Sequence, residues 1–171
     1  NLAPTTSTTA QLVLGDALAI CLLNLRGFTS KDFAKYHPGG ALGKRLYLRV
    51  SDLIKNNAVP KVNKDDAVAK VIFEISEKRL GVTAVMDAEK LIGIITDGDV
   101  RRMLSKSTDI NLFTAKDIMG HSPKTINKDA MAIAALQKME SKNISQILVV
   151  DNQNSYVGVV HLHDLIKEGI F

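Results

Sequence analysis

One imidazole stands where the chain is built to break. His37 lies in Phe33-Ala34-Lys35-Tyr36-His37-Pro38-Gly39-Gly40-Ala41-Leu42-Gly43-Lys44. Pro38 disfavours helical geometry at His37, and the glycines after it let the backbone turn freely. A histidine held at such a break can face a cleft rather than a helix groove. An imidazole titrates near neutrality, so it can serve as general acid or general base. Elsewhere, chemistry-bearing side chains gather in two places: Thr96 with Asp99, and His161 with His163 and Asp164.

The composition narrows what these groups can do. With 171 residues and 46% hydrophobic content, the chain can pack a core and has room for one domain or a small domain with an appendage. The net charge of +4 invites a nucleic-acid partner, but basic and acidic residues are interspersed. Trp is absent and aromatics make up only 5%, so stacking platforms are poorly supplied and no nucleic acid is expected. The basicity suits anionic small molecules instead. The single cysteine, Cys21, cannot form an intrachain disulfide and reads as a small core residue. No zinc-ligand spacing exists, which favours a cytoplasmic chain with no metal and no cofactor. The longest apolar run, from Leu18 to Leu23, is too short to span a bilayer even when extended back through Leu12, so no membrane is expected. The first residue is Asn1 rather than Met, and the true N-terminus is expected to lie upstream.

Residues 1–46 read as a helical segment. Thr5, Thr6, Ser7, Thr8 and Thr9 follow Pro4 and precede an apolar-periodic run from Leu12 to Leu25, read as helical. Their hydroxyls can cap that helix, and such a terminus can also hold phosphate. Gly27 suits a helix end, and Thr29 or Ser30 then caps a short helix through Tyr36. From Val50 onward the chain repeats itself. Pro60-Lys61-Val62-Asn63-Lys64-Asp65 answers Pro123-Lys124-Thr125-Ile126-Asn127-Lys128-Asp129, and Leu91-Ile92-Gly93-Ile94-Ile95-Thr96-Asp97-Gly98-Asp99 answers the stretch from Tyr156 to Asp164. The offset stays within a residue or so of 64, so one duplicated element set explains it. Each repeat reads as a short helix (50–54; 115–119), an extended Pro-containing segment and an amphipathic helix (67–78; 130–142). Two apolar strands about a polar turn follow, then a helix opening at Asp99 or Asp164. Val68, Val71, Ile72 and Ile75 can pack against a core or against another protomer. The fold class is α/β in the α+β sense, divided as 1–46, 47–108 and 109–171.

The repeat resembles the tandem CBS domain, also called a Bateman module. Its signature is a strand running through Gly-h-h-Thr-x-x-Asp into a helix. Thr96 and Asp99 match it fully, whereas in the second repeat Asp164 matches and His161 stands where Thr or Ser is usual. The resemblance implies that the hydroxyl meets phosphate and the Asp binds ribose hydroxyls, commonly of adenine nucleotides. The alternative for Thr96 and Asp99 is an ordinary strand end and helix cap. Arg101 and Arg102 can add phosphate contacts or remain solvated helix charges. His161 implies a different ligand or a pH-sensitive contact.

The first segment narrows the resemblance. Leu2-Ala3-Pro4-Thr5-Thr6-Ser7-Thr8-Thr9, Gly15-Asp16-Ala17-Leu18-Ala19 and His37-Pro38-Gly39-Gly40-Ala41-Leu42-Gly43 together look like the arabinose-5-phosphate isomerase family. That family joins a sugar-isomerase (SIS) domain to a CBS pair and interconverts ribulose 5-phosphate and arabinose 5-phosphate for Kdo, lipopolysaccharide or capsule synthesis. The resemblance implies that His37 is catalytic and that residues 1–46 are the tail of the SIS domain. It implies a sugar-phosphate substrate and an adenine or cytidine nucleotide at the CBS cleft. It further implies a homo-oligomer, a tetramer with CBS-mediated dimers. The phosphate loop and the other acid and base residues are then expected upstream, leaving this chain inactive alone. The alternative is a CBS pair acting only as an oligomerisation module. Gly39-Gly40-Ala41-Leu42-Gly43-Lys44-Arg45 is not a nucleotide-triphosphate loop, because its glycines are too closely spaced and Arg45 replaces the hydroxyl.

Overall fold

In each repeat the apolar periodicity produces the same elements. The computed structural model describes residues 3–37, 39–106 and 109–170. The chain divides into two compact parts, Asn1–Leu46 and Tyr47–Phe171. The first part holds helices α1 (Thr5–Leu25) and α2 (Ser30–Tyr36) and most of α3 (Ala41–Tyr47). The second opens with α4 (Val50–Ile54), β1 (Lys61–Asn63), α5 (Val68–Lys78), β2 (Val82–Asp87), β3 (Lys90–Thr96) and α6 (Asp97–Leu104). A short 3₁₀ turn, Ile110–Leu112, leads to α7 (Ala115–Ile118), β4 (Gly120–His121), β5 (Thr125–Asn127), α8 (Ala132–Lys142), β6 (Gln146–Val150), β7 (Tyr156–His161) and α9 (Leu162–Lys167).

The first sheet runs β1-β2-β3-β4 and the second β5-β6-β7. In both, a parallel outer strand flanks an antiparallel hairpin, and the register shifts at equivalent points, Val85/Met86 and Val149/Val150. The duplication therefore extends to backbone irregularities. Val82, Ala84 and Met86 pack with Leu148 and Val159 in one apolar cluster that joins the two sheets.

The short opening helices are exchanged between repeats. Helix α4 contributes Val50 and Leu53 to the core around Ile126, Leu136, Ile147 and Leu165 of the second repeat. Helix α7 contributes Ala115 to the core around Val62, Val71, Val85 and Ile95 of the first. Main-chain hydrogen bonds match the exchange. Val50 N–H donates to Ala130 O and Ser51 N–H to Lys128 O, while Ala115 N–H donates to Asp66 O and Lys116 N–H to Lys64 O. A helix of four or five residues cannot persist unaided, so each needs the partner repeat's loop and core.

Several expectations are corrected. Helix α1 starts at Thr5, at the head of the hydroxyl run, but the hydroxyls do not cap it. Instead Ser7 and Thr8 donate to Pro4 O, and Thr9 to Thr5 O, the back-bonding available inside a first turn. No residue of α1 is buried, so Cys21 is exposed rather than a core residue. By length and composition α1 can cross a membrane, contrary to the short apolar run read from the sequence. A helix apolar on all sides is equally the inner helix of a larger domain, and Asp16 at its middle suits a protein interior with a partner better than lipid. Val68, Val71 and Ile75 are buried within the chain, Val71 and Ile75 in the first core, and Ile72 is half-buried. The helices read as opening at Asp99 and Asp164 begin two residues earlier, at Asp97 and Leu162.

Gly93 shows how closely the exchanged elements pack. A Cβ there falls 2.5 Å from Met119 Sδ and 3.1 Å from Met119 Cβ, so the side chain and its backbone anchor both have to move. Gly93→Ala is expected to destabilise the chain by about 1–3 kcal/mol, measured as a lower urea midpoint with an unchanged slope.

Candidate functional site

A strand that ends in Thr and runs straight into a helix needs a cap, and both repeats build one. Thr96 ends β3 and its N–H donates to Asp99 Oδ2 at 2.8 Å. The Thr96 hydroxyl donates to the same oxygen at 2.6 Å, and Asp99 N–H returns a bond to Thr96 Oγ1 at 3.3 Å. This is a capping box, which satisfies helix N–H groups that have no partner within the helix. Arg102, three residues on, pairs with Asp99 Oδ1. Partial burial works against the Asp99 carboxylate, but the bonds from Thr96 and from Arg102 outweigh it and hold its pKa below the ordinary carboxylate value.

The second repeat substitutes an imidazole in this role. His161 N–H donates to Asp164 Oδ2 at 2.9 Å, and His161 Nδ1 accepts from His163 N–H at 3.0 Å. The ring therefore caps α9 as a neutral acceptor. The His163 ring stacks on it, with centroids 4.9 Å apart. Burial of the ring, followed by the neighbouring His163, lowers the His161 pKa against the opposing pull of Asp164.

Between the repeats lies a cleft of about 270 Å³. Ile94 and Thr96 line one side; His121, Lys124, Ile144 and Gln146 line the other. Its lining is mostly apolar, with Lys124 and His121 its basic residues. Asp99 opens into a separate recess of about 230 Å³ with Arg102, Met103, Lys106, Phe113 and Asp117. The structure thus joins Thr96 to Asp99 and His161 to Asp164, with each Thr or His and its Asp sharing one capping box.

Sequence reasoning missed Asn57. Its amide Nδ2 donates to Asp164 Oδ2 at 2.9 Å and to Val159 O at 3.3 Å. The signal was present: the repeats are offset by 65 up to Ile54 and Met119 but by 63 at Pro60 and Pro123, so the first repeat carries two more residues between them. His121 and Lys124 were missed because nothing local marks a strand–loop residue as lining a cleft from the other repeat.

His37 belongs to the first compact part. The Thr29–Asp32 capping box starts α2, and His37 closes it with its N–H donating to Phe33 O at 3.1 Å. Its ring lies 4.8 Å from the Phe33 ring, and the residue is exposed. Pro38 lies outside the described residues.

The duplicated helix–strand–helix–hairpin–helix repeat, with Gly93, Thr96 and Asp99 in the first copy and Gly158, His161 and Asp164 in the second, defines a class of paired modules. The chain belongs to the CBS domain family, matched over residues 50–106 and 115–170. Among solved structures it is similar to a CBS domain protein from Pyrobaculum aerophilum complexed with AMP, at 24% identity and a TM-score of 0.63, covering 69% of this chain and 90% of that one. It is similar also to a CBS-domain containing protein from Agrobacterium tumefaciens, at 18% identity and a TM-score of 0.62, covering 71% and 93%. These likenesses concern the fold. The whole chain is similar to the arabinose 5-phosphate isomerase KdsD of Francisella tularensis, 49% identical over 98% of this chain and 51% of that protein. The Pseudomonas aeruginosa enzyme of the same name is 45% identical over 99% of this chain and 53% of its own length. The chain therefore spans about half the length of the curated relatives it matches.

The His161 cap has a pH consequence with a definite sign. Because folding lowers its pKa, the unfolded chain binds the proton more readily. Its stabilising contribution is complete above the ordinary imidazole value of 6.5 and is lost as pH falls through the lowered folded value. His161→Thr, which restores the hydroxyl cap of the first repeat, is expected to flatten the dependence of thermal midpoint on pH between about 7.5 and 5.

Proposed function

We propose that this chain is the C-terminal portion of an arabinose-5-phosphate isomerase, with residues 1–46 the tail of a SIS domain and the CBS pair a nucleotide-sensing module. The observation that carries the reading is similarity over nearly the whole chain to isomerases of that name, the His37-Pro38-Gly39-Gly40 segment included. Helix α1 supports it: an exposed helix apolar on all sides needs a protein interior, and a larger upstream domain supplies one. The parent interconverts ribulose 5-phosphate and arabinose 5-phosphate in the cytoplasm, feeding Kdo for lipopolysaccharide or capsule.

Aldose–ketose isomerisation moves a proton between C1 and C2 through a cis-enediol, which needs a base at carbon and a group that handles oxygen protons. His37 is proposed as one of these groups, because its imidazole is exposed at a helix break. A single imidazole without a phosphate anchor does not stabilise an enediolate at useful rates, so activity is assigned to the parent and not to this chain alone. In the parent, His37→Ala is expected to lower kcat by about 100-fold or more with little change in thermal midpoint. Unchanged kcat would remove His37 from the reaction.

The CBS cleft fits a nucleoside monophosphate: apolar walls for a base, and Lys124 and His121 for an anion. AMP, bound by the Pyrobaculum aerophilum protein, is the first choice, and a cytidine nucleotide is the alternative. Calorimetric titration with AMP is expected to give saturable heat that Asp99→Ala weakens more than Asp164→Ala does. Equal tolerance of both substitutions would contradict the assignment of the first repeat's carboxylate. A second reading, an oligomerisation module without ligand, rests on Phe73 and Leu112, which are 66% and 70% exposed. Silence toward nucleotides from a folded, self-associated chain would favour it. Homo-oligomerisation of the parent as a tetramer, with paired CBS modules, is compatible with either.

A further inference from the structure

The duplication gives the Thr96 cleft a counterpart position beside His161 and Asp164, the second cleft, and the two differ in one crossing side chain. In the first cleft, the short connection after Met119 stays extended and forms β4, whose Gly120 and His121 pair with Ile94 and Gly93 of β3. In the second cleft the equivalent connection is two residues longer, and no residue of it joins β7. Asn57 takes over instead. Its side-chain amide donates to the carbonyl of Val159, the counterpart of Ile94, and uses its other proton on Asp164.

The partners of the two carboxylates differ accordingly. Asp99 pairs with Thr96 and with Arg102, whose side chain is on the same helix, 70% exposed and free to swing away. Asp164 is bonded by Asn57, which is half-buried and anchored in the other repeat, its own N–H donating to Ile54 O. A ligand that takes Asp164 Oδ2, the oxygen that also accepts from His161 N–H, must break a charge-assisted hydrogen bond and leave a half-buried amide proton without an acceptor. Replacing only one partner of such a pair is unfavourable. His161 adds to this closure, because its Nδ1 already accepts from His163 N–H.

We propose that Asn57 is an internal occupant of the second cleft, so that the module takes one nucleoside monophosphate per chain, at the cleft beside Thr96. The proposal rests on the nucleotide-sensing reading given above. It makes a duplicated fold into a single-site receptor and identifies the residue that does so. The longer connection of the first repeat is what carries Asn57 across.

The test is calorimetric titration of the full chain with AMP, in the original protein and in Asn57→Ala, with Asn57→Ser as a second variant in case the first does not fold. The original protein is expected to bind one AMP per chain, and the variants to gain a second binding event while the affinity of the first changes by less than about threefold. Two sites in the original protein, or one site in the folded variants, overturns the proposal. A double-mutant cycle on Asn57→Ala and Asp164→Ala, read in urea unfolding, separates this proposal from the nucleotide reading. If AMP gives no heat with any variant, the nucleotide reading fails, and the cycle still decides whether Asn57 closes the cleft. Non-additive effects support the closing contact, and additive effects overturn it.

Discussion

The reciprocal docking of α4 and α7 is the constraint on which the rest of the second compact part depends. Neither helix is long enough to hold itself, and neither packs on the sheet of its own repeat. Each is held by main-chain bonds to the loop of the other repeat, in matched pairs related by the duplication. Leu48 O accepts from Ala132 N–H as Phe113 O accepts from Val68 N–H. Together with the Val82–Leu148 seam, these bonds make two repeats, each too small to bury a sufficient core, into one body. The cleft between Thr96 and Lys124 is a consequence of that stitching, because its two sides come from different repeats.

Within this frame the signature residues build structure first. Thr96 spends its hydroxyl proton on Asp99, so the pair is a helix cap before any ligand arrives. The capped, partly buried carboxylate is held in its ionised form and fixed in direction. In the second repeat the same geometry is built with an imidazole. The result is a cap that fails on protonation, and its carboxylate is reached by Asn57. Duplication preserved the scaffold while small changes at its connections made the two clefts chemically different.

Much of this was legible in the sequence because it is local or periodic. The repeat, the hairpins, the amphipathic helices and the Thr96–Asp99 signature all follow from residues a few positions apart. The exchange of α4 and α7 was not legible, since a short apolar helix carries no mark of which repeat's core it will enter. Val68, Val71 and Ile75 show the same limit, as their stripe serves core or partner equally well until the tertiary fold assigns it. Cys21 was read as buried from its apolar neighbours, yet α1 is exposed along its whole length. Asn57 was hidden for a different reason: it acts through a two-residue difference between repeats, which matters only once the strands are aligned in space.

The most direct test of the stitched body is native-state hydrogen exchange on the chain and on Leu148→Ala. Leu148 lies in β6 of the second repeat but packs in the cluster shared with β2. If the two repeats open as one unit, the amides of Val82–Asp87 and of Gln146–Val150 lose protection by the same free energy in the variant. Loss confined to Gln146–Val150, with Val82–Asp87 unchanged, would show two independent domains and contradict the account.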